Sequence, residues 1–548
     1  MARRTVPLPK DDPDIIVAGS GGAALAGALR AARGGARVLL LEATDCLGGT
    51  TAMSGAGTWI PANARARAAG IADDADRALA YIRAASPDGW QGSEDPLWQA
   101  FVAEAPRMID FLERHSALRF ALADDPDPWP AAPGALPRGR MLSPRPLRAR
   151  VPGFRLQPAH VPHVLTYQEL KSRDPWHHPL RTIAALAPRL AWRLATGRRA
   201  QGSALIAGLA RAALAAGVEI RTGWRVTGLD RAAGGAVRGV FAEGPDGGRR
   251  RIGAAAGVLL ATGGFERDLS RRSRHFAGPV DLVASSPGNL GCAARIAEEI
   301  GAELAHMSEA NVAPALPARL RGRALPIGTF HHREPGAILV GPDGRRFVDE
   351  WAFNLGEVLL ERRGDGAAAH LPCWLVGDAA ALSGAPMLRW FLRAAPGWAR
   401  EASDATRLGA TLALPPGALE ATLADWNAGA AQGRDPRFGR HLDPWSGPDP
   451  RRLRPLAGAL WALPFNLVFL STKGGPRTDA RARVLDRDGR AIPGLCCAGV
   501  AMANPFGTRA MGAGTTIGPN LTWGWIAGAT LLDRLATPPA DVAKETAA

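Results

Sequence analysis

The spacing of apolar and polar positions changes several times along the 548 residues. Residues 14–18 are a short apolar run of strand length, followed by a glycine-rich turn. An Ala- and Leu-rich stretch with helical spacing then continues to Arg33, and a second apolar run covers residues 36–42. Strand, helix and strand within about thirty residues is the βαβ unit of a parallel sheet. Leu97, Phe101, Ala105, Met108, Ile109 and Leu112 recur every three or four positions and predict a helix over 95–115. Residues 121–162 are rich in Pro and Arg and predict irregular chain. Helical spacing returns over 180–216, where the basic stretch 193–199 reads as the solvated face of a packed helix. Short runs at 218–221, 225–230, 236–242 and 257–261 predict strands. The texture then changes over 284–444 to a mixture of helices, strands and turns, which we read as an inserted domain. Strand-like sequence returns at 466–470 and 494–498, and a last helix is predicted over 514–535.

This order predicts an α/β fold. A Rossmann-like domain is built from residues 1–283 and 445–548, and residues 284–444 form an α+β cap between its two parts. The polar stretch 1–12 and the segment after Pro538 read as loose tails.

Composition changes the picture little. The formal charge of +15 is carried almost wholly by arginine, the lysines being Lys10, Lys171, Lys473 and Lys544. The arginines are dispersed, whereas a nucleic-acid partner calls for a basic arm or stripe, so none is expected. The five cysteines, Cys46, Cys292, Cys373, Cys496 and Cys497, contain no C-x-x-C pair, so neither a disulfide framework nor a metal site is expected. No apolar segment follows Arg3-Arg4, and the longest apolar stretch, 456–470, is interrupted by Pro464 and Asn466. A cytoplasmic protein without a transmembrane segment is expected.

Four motifs carry candidate chemistry. Gly19-Ser20-Gly21-Gly22-Ala23-Ala24 is a G-x-G-x-x-A turn between strand and helix. Gly19 permits the tight turn, Gly21 lets a pyrophosphate approach the backbone, and the helix N-terminus offers free N–H groups to phosphates. Glu42 ends the second strand, where a carboxylate accepts hydrogen bonds from a ribose diol and disfavours a 2′-phosphate. Gly48-Gly49-Thr50-Thr51, continued by Ser54 and Gly55, is a loop of small and hydroxyl residues that lets backbone and Oγ atoms reach a flat ligand. The run ending Thr262-Gly263 follows a buried strand, and Val226, on the predicted strand 225–230, joins the same candidate set. Gly514-Thr515-Thr516-Ile517 opens the last helix, whose N–H groups favour an electron-rich ligand.

Together the stretches DIIVAGSGGAALAGALRAA, LLLEATDCLGGTTAMSGAG, VLLATGGFERD, TKGGPRTDARARVLDRDGRAIPGL and GAGTTIGPNLTWGWIAG resemble the fumarate reductase/succinate dehydrogenase flavoprotein superfamily, most like its 3-ketosteroid Δ1-dehydrogenase branch. The resemblance implies an FAD oxidoreductase that adds or removes hydrogen across a carbon–carbon bond beside a carbonyl. The FAD would be held by Gly19, Gly21, Glu42, Gly49 and Thr50, with Gly499 and the turn 514–517 near the flavin ring. Phe347 and Glu350 resemble a signature of the cap. Thr50 and Thr51 stand where succinate dehydrogenases carry the histidine that bonds FAD, which implies noncovalent FAD. The cap's Trp and apolar residues suggest an apolar, even polycyclic, small-molecule substrate. No haem or iron–sulfur motif occurs, so a separate electron acceptor or donor is implied.

The chain departs from the steroid branch at its tyrosines. Only Tyr81 and Tyr167 occur, and the positions matching the branch's catalytic tyrosines fall near Ala510, near Trp129 and near Phe353 or Asn354. Loss of the hydroxyl removes its proton chemistry. The fumarate-reducing branch uses Arg and His instead. Arg509, beside the flavin-facing turn, and His331, His332 and Arg333 of the cap are therefore the catalytic candidates. Arg509 serves equally well to hold a loop carbonyl or the pyrophosphate, and the histidines to form a surface pair. Two alternatives stay open: a reductase of small unsaturated carboxylates, and a flavin-binding protein without catalysis.

Overall fold

The structure, a computed structural model, describes residues 12–320, 323–328, 331–395 and 397–537. The side chains of 318–320, 323–328 and 331 lie outside the described residues, as do nearly all of the tail 1–12 and the segment from Pro538.

The first sheet has the strand order Glu219–Thr222, Val38–Glu42, Ile15–Ala18, Gly257–Leu260, Ala491–Cys497, Arg483–Leu485. The first five strands are parallel, with Ile15 opposite both Val38 and Gly257, and Val258 opposite Leu495. The sixth is antiparallel. Strands buried on both faces read as continuous apolar runs, and IIVA, VLLLE and GVLL are such runs. Helices Gly22–Arg33 and Ile517–Ala536 pack on one another through glycines. A methyl group added at Gly524 would lie 2.0 Å from the Ala23 carbonyl oxygen, and one at Gly528 2.4 Å from that of Gly27. Only glycine lets these backbones approach so closely. The predicted helix 180–216 is two helices, Pro179–Ala195 and Gln201–Ala215, broken around Gly197 in the left-handed region.

The second sheet has the order Arg323–Gly328, Ala310–Leu320, Leu460–Thr472, Cys373–Asp378, Ala337–Val340, with Arg400–Ala402 also pairing the long strand. It is antiparallel throughout. Its central strand, Leu460–Thr472, lies beyond residue 444, where the sequence reading ends the cap. An apolar run marks a buried strand but carries no mark of which sheet will bury it.

The signature around Phe347 and Glu350 is buried structure. Glu350 is fully enclosed and accepts hydrogen bonds from Arg346 Nη2 (2.7 Å), Arg440 Nη1 (3.2 Å) and the Leu339 N–H (3.0 Å). Arg346 also reaches Asp435 at 3.1 Å. Burial works against the Glu350 charge, but Arg346 and Arg440 hold its carboxyl below the ordinary value. Phe347 stacks on His370 at 4.5 Å between ring centres.

Candidate active site

The parallel sheet ends in the G-x-G-x-x-A turn. Gly19 has φ +104°, and a Cβ there would stand 2.3 Å from the Ala261 carbonyl oxygen, so this position requires glycine. Gly22, at the first position of its helix, donates its N–H to Thr51 Oγ1 at 3.2 Å. Glu42 is buried at the end of Val38–Glu42 and accepts from Ser20 Oγ (2.6 Å) and from the Thr44 N–H and Oγ1 (2.8 Å each). Its carboxylate is thereby fixed in direction, with one lone pair, on Oε2, left over for a ribose hydroxyl.

The loop after Gly48 coils into the short helix Gly49–Met53. Thr50 Oγ1 accepts from the Ser286 N–H (3.1 Å) and Asn289 Nδ2 (3.0 Å), which ties this loop to the chain entering the cap. On the far side, residues 507–516 are held by side chains from distant segments. Tyr81 Oη donates to the Met511 carbonyl (2.9 Å), Trp129 Nε1 to that of Ala510 (3.3 Å), Asn354 Nδ2 to that of Thr508 (2.5 Å), and Lys473 Nζ to that of Gly507. Lys473 is wholly buried, and burial pushes its pKa down to about 8 against the pull of Glu309. Gly514 has φ +94° and little room for a Cβ, which would lie 2.6 Å from the Thr58 backbone nitrogen. Thr515 Oγ1 closes the turn onto the Gly512 carbonyl at 2.8 Å.

Between these loops runs a cavity of about 580 Å³. It is lined by Gly19, Ser20, Gly21, Gly22, Ala23, Glu42, Gly49, Thr50, Thr51, Ser54, Gly55, Val226, Thr262, Gly263, Gly499, Gly514, Thr515, Thr516 and Ile517. Gly48 is the one member of the expected cofactor set outside the lining. It sits at φ +104° beneath the loop, where a Cβ would meet Ala52 and Ile206. The cap side is closed by Asn311, Pro314, Phe353, Asn354, Leu470 and Ser471.

The walls suit a dinucleotide carrying a flat ring. Bare glycine backbone and a helix N-terminus stand at one end with a fixed carboxylate beside them. At the other end Asn520 Oδ1 and Ser471 Oγ are buried without a hydrogen-bond partner among the described residues. Buried polar atoms of this kind call for a ligand partner.

Three of the expected catalytic residues, Arg509, His332 and Arg333, are not among the residues lining the cavity. Arg509 does not line the cavity; its Nη2 pairs with Glu357 at 2.7 Å and its guanidinium lies over Trp129. His332 is buried with its ring against Phe465, and the His331 side chain is outside the described residues. Arg333 donates to the Ala352 carbonyl at 3.2 Å. Of the positions matching the branch's tyrosines, Ala510, Phe353 and Asn354 line the cavity and Trp129 backs Ala510.

Sequence reasoning passed over Tyr167. It lines the cavity with its ring beside Gly55, and its hydroxyl donates to Asp125 Oδ2 at 2.5 Å. Burial, then the Asp125 charge, pushes its phenol well above the ordinary value. The one local signal is the capping box of Thr166 and Glu169, which marks a helix start and says nothing of a site.

Residues 14–517 match the FAD binding domain family. The chain is 33% identical to 4-oxocyclohexanecarboxylate 2-dehydrogenase of Sinomonas cyclohexanicum, over 97% of this chain and 95% of that protein. It is 30% identical to 3-oxosteroid 1-dehydrogenase of Mycobacterium tuberculosis, over 95% of this chain and 98% of the other. Among solved structures, 3-ketosteroid delta1-dehydrogenase from Sterolibacterium denitrificans, in complex with 1,4-androstadiene-3,17-dione, superposes with a TM-score of 0.85 at 28% identity. The match covers 95% of this chain and 99% of that one.

Proposed function

The chain belongs to the FAD binding domain family, as an oxidoreductase of its CH–CH dehydrogenases, and on that premise we propose that it desaturates a cyclic ketone beside the carbonyl, with FAD held noncovalently. The carrying observation is the single cavity whose one wall is the glycine cradle and whose other wall is the cap. FAD supplies a two-electron acceptor when bound. Gly19, Gly21 and the helix Gly22–Arg33 would hold its pyrophosphate, and Glu42 its ribose. The turn 514–517 and Asn520 would meet the ring.

On the cap side the wall is formed by Asn311, Val312, Pro314, Phe353, Leu470 and Ser471, and His160 and Arg225 also line the cavity. An apolar ring fits the Val312, Pro314, Phe353 and Leu470 part of this wall. Thr50 and Thr51 offer no imidazole for a bond to the flavin, so acid precipitation should leave the yellow colour in the supernatant. The electrons would pass on to a separate acceptor. Five thiols, four of them buried, suit a cytoplasmic setting.

Anaerobic addition of 3-ketosteroids, then of 4-oxocyclohexanecarboxylate, to the FAD-loaded protein should bleach the flavin band. No bleaching by any cyclic ketone, with reoxidation of the dithionite-reduced protein by fumarate, would overturn this reading in favour of the carboxylate-reducing one.

A further inference from the structure

Ketone desaturation needs a group that removes the α-proton, and the positions matching the branch's tyrosines carry no hydroxyl in this chain. Arg509 is occupied by Glu357, and Arg333, bonded to the Ala352 carbonyl, is not among the lining residues. Tyr167 is the one tyrosine that lines the cavity, Tyr81 being fully buried and bonded to the Met511 carbonyl.

Tyr167 does not stand alone. Its hydroxyl points at Asp125 Oδ2 (2.5 Å), and Asp125 Oδ1 accepts from Lys171 Nζ (2.8 Å), one helical turn on from Tyr167. The Asp125 side chain is 15% exposed, so the hydrogen bond is largely screened from water. Arg333 bears electrostatically on both Tyr167 and Asp125. The tyrosine comes from the helix Tyr167–Arg173, outside the cap, and its partner from the irregular stretch before Met141–Pro144. Neither coincides with the branch's tyrosine positions.

Resting on the ketone reading above, we propose that Tyr167 is the catalytic proton acceptor and Asp125 the residue that receives the phenolic proton. The α C–H bond breaks with its electron pair left on carbon, giving the enolate. The substrate proton bonds to the Tyr167 oxygen while the phenolic proton moves to Asp125 along the existing hydrogen bond. Nothing is oxidised or reduced in this step. Oxidation is the later departure of the β-hydrogen with its electron pair, for which the family's FAD is the acceptor. A phenol whose ionisation is opposed by burial cannot wait as a phenolate, so it works only with a base at its back, and Asp125 is in that place.

Exchange of the ketone α-hydrogens into D2O by the FAD-loaded protein, without an electron acceptor, reads the proton step apart from oxidation. Mass spectrometry of the recovered ketone gives the rate. Tyr167→Phe should keep its FAD occupancy and melting behaviour close to wild type and lose at least about 100-fold in exchange, the scale of a general base. Asp125→Asn should lose at least about 10-fold with the phenol in place. A purely structural tyrosine would lower the melting temperature and leave exchange intact. Wild-type bleaching together with undiminished exchange in Tyr167→Phe overturns the proton assignment and leaves the ketone reading standing. A wild type that neither bleaches nor exchanges with any cyclic ketone overturns both.

Discussion

Replacing Glu350 by Gln keeps the shape of a fully buried side chain and removes its charge. Arg346 and Arg440 are balanced in the native protein by Glu350 and Asp435. The variant leaves one positive charge without its counter-ion in the interior. Arg440 cannot recover by moving to water, since it is itself wholly buried and its other bonds go to the carbonyls of Glu334 and Ala337. Breaking a buried pair by removing one partner costs about 3–5 kcal/mol. The amide retains hydrogen bonds to the Leu339 N–H and one arginine, so the lower half of that range is expected. At about 2–4 °C per kcal/mol for a unit of this size, melting should fall by at least roughly 6 °C. Differential scanning fluorimetry of the FAD-loaded variant at pH 7.5 reads it, and the flavin spectrum at 15 °C should stay native. Glu350→Gln with Arg440→Met should recover part of the loss, because the pair rather than the charge is what the core needs. Acid should mimic the variant. The folded pKa of Glu350 is depressed, so its contribution is present above the ordinary carboxylate value and is lost as pH falls through the folded one. A melting temperature within 2 °C of wild type for Glu350→Gln would refute the reasoning that the buried Glu350 charge balances Arg346 and Arg440.

Glu42→Ala should weaken FAD retention by about 1–3 kcal/mol, read as the dissociation constant from flavin fluorescence; unchanged affinity would show that the ribose is held elsewhere. His177 links Asp174 and Glu334 (2.6 Å each), and the Glu334 hydrogen bond, against burial, raises its pKa to about 9. Its stabilisation should be full below pH 6.5 and vanish as pH rises through about 9. The gap in melting temperature between wild type and His177→Gln should therefore close over that interval, and a gap constant from pH 6 to 10 would exclude the charged bridge.

The parts legible in the sequence were those where one local stretch carries the whole physical requirement. Gly19, Gly21 and Ala24 between a strand and a helix leave few arrangements of the backbone, and Glu42 is fixed by the strand it ends. Leu97 to Leu112 announced a helix because one face of it is core. The cap was harder. Leu460–Thr472 is apolar enough to be a strand, yet its partners, at Ala310–Leu320 and Cys373–Asp378, are far away in sequence. Glu350 stood out in the sequence as a signature residue, and nothing there showed that it faces Arg440 rather than a ligand. Arg509 lies close in sequence to the turn 514–517, but its direction depends on Glu357, brought in by the helix Leu355–Leu359. Tyr167 was invisible as a site residue because its meaning depends on Asp125 and Gly55, which only the fold brings to it.

The strand Ala491–Cys497 lies between Gly257–Leu260 and Arg483–Leu485, so the first sheet is finished by residues made more than two hundred positions after those it pairs with. During synthesis Gly257–Leu260 therefore waits as an open sheet edge while the whole cap is made and has the chance to fold. An apolar edge of this kind is a template for wrong partners. The turn 514–517 emerges later still, so on the proposed placement of the flavin ring FAD gains its full set of contacts only when nearly all of the described chain exists. Low yield on fast expression, relieved by slower synthesis at low temperature more than by added riboflavin, is the behaviour this strand order imposes.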